Sequence, residues 1–178
     1  MKLLVVSDSH HDIRYLARAL KQFAGKVDLV AHLGDGVDDL WPAAEAIGLR
    51  LPRTESVRGN GDDCDPGLWP RRLIGSAERP ILMLHGHNEG AGEGVGRIVD
   101  AGVASGAKLV LFGHTHKIFM EEYRGLLALN PGSISRPRDR RRPSFAIVDA
   151  PDDPELAIDV HFYEVGSGIG RVSEIYPL

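Results

Sequence analysis

The chain repeatedly runs through a short apolar segment and then stops at a carboxylate, an amide or an imidazole. KLLVVS (2–7) ends at Asp8, VDLVAHL (27–33) at Gly34-Asp35, and residues 53–57 run into Gly59-Asn60. Further on, ILML (81–84) ends at His85, and KLVLF (108–112) at Gly113-His114, two residues before His116. Short apolar runs bounded by turn residues are the pattern of buried strands. Between the first two, Ile13, Leu16, Ala17, Leu20, Phe23 and Ala24 recur at helical spacing, so 12–24 reads as an amphipathic helix closed by Gly25. A second helix is expected over 37–47, with Pro42 admitted only near a start or a break. This β-α-β-α-β order predicts a mainly parallel sheet.

The later pattern is different. Residues 71–75 and 81–84 are strand-like and are expected to form a hairpin, and Val95, Ile98, Val99, Gly102 and Val103 mark one more helix. Segments 117–123, 126–129, 144–149 and 156–165 read as strands punctuated by Gly, Pro and Asp. The 178 residues suit one domain with a sizeable core. The expected architecture is α/β, two packed sheets flanked by helices in a single domain spanning 1–178.

Composition excludes several classes. With 43% apolar and 26% charged residues the chain is globular and not disordered. A net charge of −4 gives no general attraction to nucleic acid or anionic lipid, so such binding would have to be local. The start, MKLLVVSDSH, holds too short an apolar run for a signal peptide, and no later run could span a membrane. A cytoplasmic protein without a membrane partner is expected. The one cysteine, Cys64, excludes an internal disulfide and a cysteine-based zinc knuckle, and reads as an incidental loop thiol.

In open α/β sheets, ligands bind outside the carboxyl ends of the strands. Asp8, His10, Asp35, Asn60, His85, His114 and His116 all fall there and should converge on one crevice. Carboxylate, amide oxygen and imidazole suit divalent first-row metals. Seven ligands exceed what one ion takes from a protein, but two ions share them if a carboxylate bridges. Two ions about 3.5–4 Å apart clamp the attacking and leaving oxygens of phosphoryl transfer. Gly34, Gly59, Gly86 and Gly113 stand beside these residues, where a missing side chain permits tight turns. Taken singly, each Asp or Asn is more often a turn residue. Together with four histidines at strand ends, the site reading prevails.

DSH (8–10), GD (34–35), GNGD (59–62), HGH (85–87) and GHTH (113–116), in that order, resemble the calcineurin-like metallophosphoesterase superfamily. NPGSISRPR (130–138) and the short length narrow the likeness to the YfcE-like small phosphodiesterases of bacteria and archaea. The resemblance runs from residue 2 to about 148 and implies a four-layer α/β/β/α sandwich of two mixed sheets. It also implies two divalent ions, manganese ahead of nickel, iron or zinc. One would be held by Asp8, His10, Asp35 and His116, the other by Asp35, Asn60, His85 and His114, with Asp35 bridging. Asp35, Asn60 and His114 would be catalytic. The implied activity is hydrolysis of a small phosphodiester by two-metal-activated hydroxide attack, in a homodimer. A nuclease or phosphomonoesterase would use the same site. The rival reading is a non-catalytic interaction module, the role of the retromer's small phosphoesterase-like subunit. The complete ligand set favours the enzyme.

One position departs from the superfamily. Many members read GNH where this chain has Gly61, and that histidine is taken to assist the leaving group. YfcE-like members commonly lack it as well. Without it, good leaving groups should be favoured, or a proton borrowed from His87 or His11. His87 and Arg138 are the expected substrate-binding residues. Residues 136–142 form the one dense basic cluster, read as a solvated loop over 140–142, and would bring nucleic acid in only if the whole loop faced the crevice. The glycine-rich stretch 89–96 lacks a phosphate-loop ending and reads as a flexible lead into a helix. His32 and His161 are expected to be structural, and Asp62 and Asp63 to hydrogen-bond the ligand loop.

Overall fold

Leu3, Leu4, Val5 and Val6 of strand β1 (Lys2–Val6) are all fully buried, and successive side chains of a strand point to opposite faces. Both faces of its sheet must therefore be covered. The computed structural model, which describes residues 1–62, 67–166 and 172–175, shows how. Leu3 and Val5 enter a cluster with residues of a second sheet, whereas Leu4 and Val6 pack against helices α1 (Ile13–Phe23) and α2 (Leu40–Glu45).

The first sheet takes β2 (Leu29–His32), β3 (Thr54–Ser56), β9 (Ser144–Asp149), β10 (Asp159–Val165) and β11 (Val172–Ile175), in the order β11-β10-β9-β1-β2-β3. The second holds β4 (Arg71–Gly75), β5 (Pro80–Leu84), β6 (Leu109–Leu111), β7 (Ile118–Tyr123) and β8 (Leu126–Pro131), in the order β4-β5-β6-β8-β7. Ile81, Met83, Leu109, Leu111 and Leu129 of this sheet meet Leu3, Val5, Leu29 and Ala31 of the first. Its outer face, with Leu82, Leu84 and Val110, is covered by Ile98 and Val99 of α3 (Gly96–Ala104). Gly102 lets α3 settle closely, since a Cβ there would meet Val110 and Leu126 at 2.5 and 2.6 Å. The result is the expected four-layer α/β/β/α sandwich of two mixed sheets.

β1, β2 and β3 run parallel, as do β5, β6 and β8, and β4 and β5 form the expected antiparallel hairpin. The expectations are corrected at several points, among them the 156–165 strand, which begins only at Asp159. The 37–47 helix is a short 3-10 turn, Val37–Asp39, followed by α2 over Leu40–Glu45. Pro42 lies in the first turn of α2, where its missing N–H costs little. β8 continues two residues past 129, to Pro131, because Pro131 still faces Ile118 in the ladder. β11 is a strand that the sequence pattern does not mark. Asp63 and Cys64 lie outside the described residues.

Candidate metal centre

The parallel strands deliver their carboxyl ends to one edge of the sandwich. The loops after β1, β2, β3, β5, β6 and β8 meet there and are tied to each other by backbone bonds. Asp8 N–H donates to Gly34 O at 3.0 Å, His10 N–H to Asp35 O at 3.1 Å, and Gly113 N–H to His85 O at 3.0 Å. Eight described non-glycine residues have positive φ, and five of them are Asp8, His10, Asp35, His114 and His116. A left-handed L-residue costs roughly 1–2 kcal/mol, so strain is concentrated at the expected ligands.

Side chains from separate loops come within a few ångströms. Asp35 reaches two ways: Oδ2 lies 3.8 Å from His10 Nε2 and Oδ1 lies 3.5 Å from His85 Nε2. Asp8 Oδ1 lies 3.3 Å from His116 Nε2 and 4.0 Å from His85 Nε2. His10 Nε2 and His116 Nε2 are 3.1 Å apart. Two groups could each grip a cation, Asp8 with His10 and His116, and Asp8 with Asp35 and His85. Both carboxylates thus stand between the two sets of imidazoles, Asp8 being common to the two groups.

The tautomers point the same way. His85 Nδ1 is 2.6 Å from Leu33 O and His116 Nδ1 is 2.6 Å from Arg136 O. A carbonyl only accepts, so each Nδ1 carries the proton and each Nε2 turns a lone pair into the crevice. Asp8 Oδ1 and His85 Nε2 are buried without a hydrogen-bond partner. Such an orphan costs about 1–3 kcal/mol, and two facing electron-pair donors are satisfied by a cation. The residues present therefore fit divalent metal. Burial would raise the Asp35 carboxyl, but His85, the Gly61 N–H and His10 hold it well below the ordinary carboxylate range. Burial would lower His85, yet Asp35 and Asp8 outweigh it and raise the imidazole. Burial lowers His10 and His114.

His114 donates its backbone N–H to Asp8 Oδ2 at 3.1 Å, and its ring centroid stands 5.2 Å from that of His85. Asn60 is at the exposed apex of its turn, next to Gly61, whose N–H donates to Asp35 Oδ1 at 2.6 Å. A Cβ at Gly59 would stand 2.2 Å from the same oxygen, so this turn admits only glycine there. His87 lies beside the centre, 5.3 Å from the His85 ring, with Nδ1 buried and unpartnered. Arg138 is exposed; its N–H donates to His116 O, and it lines a cleft shared with His114. His11 is largely exposed, its Nδ1 3.5 Å from Asp39. The short stretch 140–142 is mostly exposed, while Arg141 approaches Glu164 at 3.8 Å.

Several residues that hold the ligands carry no signal of that role in the sequence. Ser133 Oγ and Ser135 Oγ both donate to Asp8 O, at 2.8 and 2.9 Å. Asn130 Nδ2 donates to Gly113 O at 2.7 Å and steadies the GHTH loop. Arg136 serves through its carbonyl, which orients His116. These functions belong to NPGSISR, a segment visible in the sequence without a role attached. Asp62 does what is expected of it. Its Oδ2 accepts from Asp35 N and Gly59 N at 2.6 and 2.9 Å, its Oδ1 from Gly36 N and Val37 N at 2.7 and 3.2 Å.

Residues 1–153 match the calcineurin-like phosphoesterase superfamily domain. The chain belongs to that superfamily. Among curated relatives, it is 34% identical over 165 residues to a probable metallophosphoesterase, YsnB, of Bacillus subtilis, covering 92% of this chain and 91% of the relative. It is 25% identical over 146 residues to the phosphodiesterase MJ0936 of Methanocaldococcus jannaschii, covering 74% and 83%. A solved structure of Vps29 complexed with zinc, from Entamoeba histolytica, shares this chain's fold with a TM-score of 0.77 over 98% of each chain, at 22% identity. At that identity the likeness speaks for the fold alone. A metal-dependent phosphoesterase is what the family and the donor cluster support together.

Proposed function

We propose that this protein is a phosphodiesterase whose centre takes two divalent ions, one at Asp8, His10, Asp35 and His116 and the other at Asp35, Asn60, His85 and His114. The observation that carries this reading is the arrangement of Asp35, with one oxygen toward His10 and the other toward His85. That is the placement a bridging carboxylate needs. When bound, such ions neutralise phosphate oxygens and lower the pKa of water from about 15.7 towards 7, making hydroxide available for attack on phosphorus.

The chain's own residues supply the rest. Leu33 O and Arg136 O fix the tautomers of His85 and His116, so that in the neutral rings the Nε2 lone pairs face inward. Asp62 holds the Asp35 and Gly59 loops in one piece. Asn60 and His114 stand on the open side, where a phosphate would enter, with Arg138 at the rim of the adjoining cleft. The diester preference is supported by the likeness to a named phosphodiesterase and by Gly61, which removes the side chain that a poor leaving group would need. Manganese is the proposed metal, and a small phosphodiester the proposed substrate, in a one-domain homodimer of the cytoplasm.

The test strips the protein with chelator and adds Mn²⁺, Ni²⁺, Zn²⁺ or Mg²⁺ separately. Hydrolysis of bis-p-nitrophenyl phosphate is followed beside the p-nitrophenyl monoester, with Asp35→Ala as blank. Diester cleavage restored by metal and lost in the blank is the expected result. Metal binding without turnover of either ester would leave an interaction module on the same fold.

A further inference from the structure

A cleft of about 630 Å³ opens from His114 along β7 and the glycine-rich segment that leads into α3. That volume is within the usual range for an organic ligand. Its chemistry is uneven. Val95, Phe112, Ile118 and Phe119 give one part an apolar lining with no side-chain hydrogen-bonding group. Lys117 and Arg138 bring two cations, against the one carboxylate of Glu93, to the lining that also includes His114. Phe112 and Phe119 meet edge to face with centroids 5.8 Å apart, and Phe119 remains half-buried on the edge strand of its sheet.

We propose that this cleft receives a flat, unsaturated arm of the phosphodiester, an aryl or nucleoside group, while the phosphate lies at the His114 end. The proposal rests on the phosphodiesterase reading of the metal centre and adds the class of substrate. A polyol arm would bury hydroxyls against phenylalanine and isoleucine, with Thr115 Oγ1 already accepting from Asn130 and the Lys117 N–H, which costs free energy. A cationic arm would meet Lys117 and Arg138. A flat ring buries apolar area and pairs with aromatic side chains by offset or edge contact. The two cations are left for the phosphate oxygens.

Gly92 provides a way to test this without touching the metal residues. Gly92 lines the cleft, a Cβ there would meet nothing within 4 Å, and its φ is not left-handed, so Gly92→Trp adds bulk at the cleft wall without a clash. Calorimetric binding of methyl phosphate, phenyl phosphate and thymidine 5′-monophosphate to the Mn²⁺-loaded protein is the measurement, on wild type, Gly92→Trp and Phe119→Ala. Phenyl phosphate and the nucleotide should bind at least tenfold more tightly than methyl phosphate. That ratio should collapse toward one in Gly92→Trp, whose fold does not depend on losing a core group. A gain for the nucleotide but not for phenyl phosphate would identify the arm as a nucleoside. Equal affinities for all three in wild type, or a ratio that survives in both variants, would overturn the proposal while leaving the metal centre intact. Absence of metal-dependent binding by any of them would refute the reading of the centre, and this proposal with it.

Discussion

Gly61 N–H donates a 2.6 Å hydrogen bond to Asp35 Oδ1, and a Cβ on Gly61 would stand 3.1 Å from that same oxygen. The contact is tight but not impossible. A side chain at position 61 therefore acts on Asp35 before it acts on substrate. Gly61→Ala should displace the carboxylate by a few tenths of an ångström and lower kcat/KM by about tenfold, since small misplacements in a reacting centre are costly. No left-handed φ is required at 61, so stability should change by less than about 1 kcal/mol. Activity and thermal unfolding measured together check this. A large loss of stability with unchanged activity in the folded fraction would contradict it.

The second prediction concerns the leaving group. The His87 ring stands 5.3 Å from that of His85, and burial lowers its pKa, which leaves it neutral and a poor acid at pH 7. General acid assistance contributes about 10²- to 10⁴-fold where it operates. Across a series of methyl aryl phosphates, log kcat/KM should fall steeply as the phenol becomes more basic. A nearly flat series would reveal a proton donor, and loss of that flatness in His87→Gln would identify it.

Asp62 accepts four backbone N–H groups from two loops, and those bonds outweigh burial to hold its pKa below the ordinary value. An amide cannot replace that. In Asp62→Asn one of the two oxygens becomes an NH₂ turned toward N–H donors, so the substitution should cost about 1–3 kcal/mol of stability through unpaired groups. Because Asp35 is positioned from this loop, metal affinity should fall about 10- to 100-fold. Metal titration by calorimetry measures the second effect separately from the first. Unchanged affinity at reduced stability would show that the Asp35 loop holds its shape alone.

How much is readable in advance follows from which interactions are local. Apolar runs that end in a polar residue mark β1, β2, β5 and β6, because burial on both faces leaves few polar positions inside such strands, His32 of β2 being the exception. Their ends locate the centre for the same reason. β11 escapes the pattern because its place is set by pairing with β10, and its sequence VSEI holds no apolar run. The apolar run 27–33 is longer than its strand, since Val27 and Leu33 are apolar for packing outside the ladder. The work of Ser133, Ser135 and Asn130 is hidden because each acts on backbone of a loop far away in sequence. Nothing local to a serine shows which distant carbonyl it will meet. The cleft beside His114 is equally invisible, as it needs β7 and the glycine-rich segment brought together.

His32 offers a prediction about pH. It is fully buried, and its Nδ1 accepts from Gly34 N–H at 3.2 Å, so the neutral ring carries its proton on Nε2 and donates to Ser9 Oγ at 3.2 Å. Ser9 in turn donates to Asp39 Oδ2 at 2.6 Å. A second proton on His32 would face the Gly34 N–H. Burial accordingly brings its pKa down to about 4 from 6.5. A histidine depressed in the folded state costs nothing above its unfolded pKa and penalises folding as pH falls below it. In metal-free protein, stability should therefore fall by about 3 kcal/mol between pH 6.5 and pH 4 on account of His32. His10, His87 and His114 tilt the same way but are partly exposed, while His85 opposes them. The Asp35 carboxyl contributes only below about pH 4, where the unfolded chain begins to bind its proton. Urea unfolding of chelated wild type and His32→Gln at intervals across this window isolates the histidine. The variant should be less stable at pH 7 but lose most of the slope, because its amide cannot titrate. If both proteins lose stability in parallel, the acid sensitivity lies in the metal-ligand histidines and not in the network behind them.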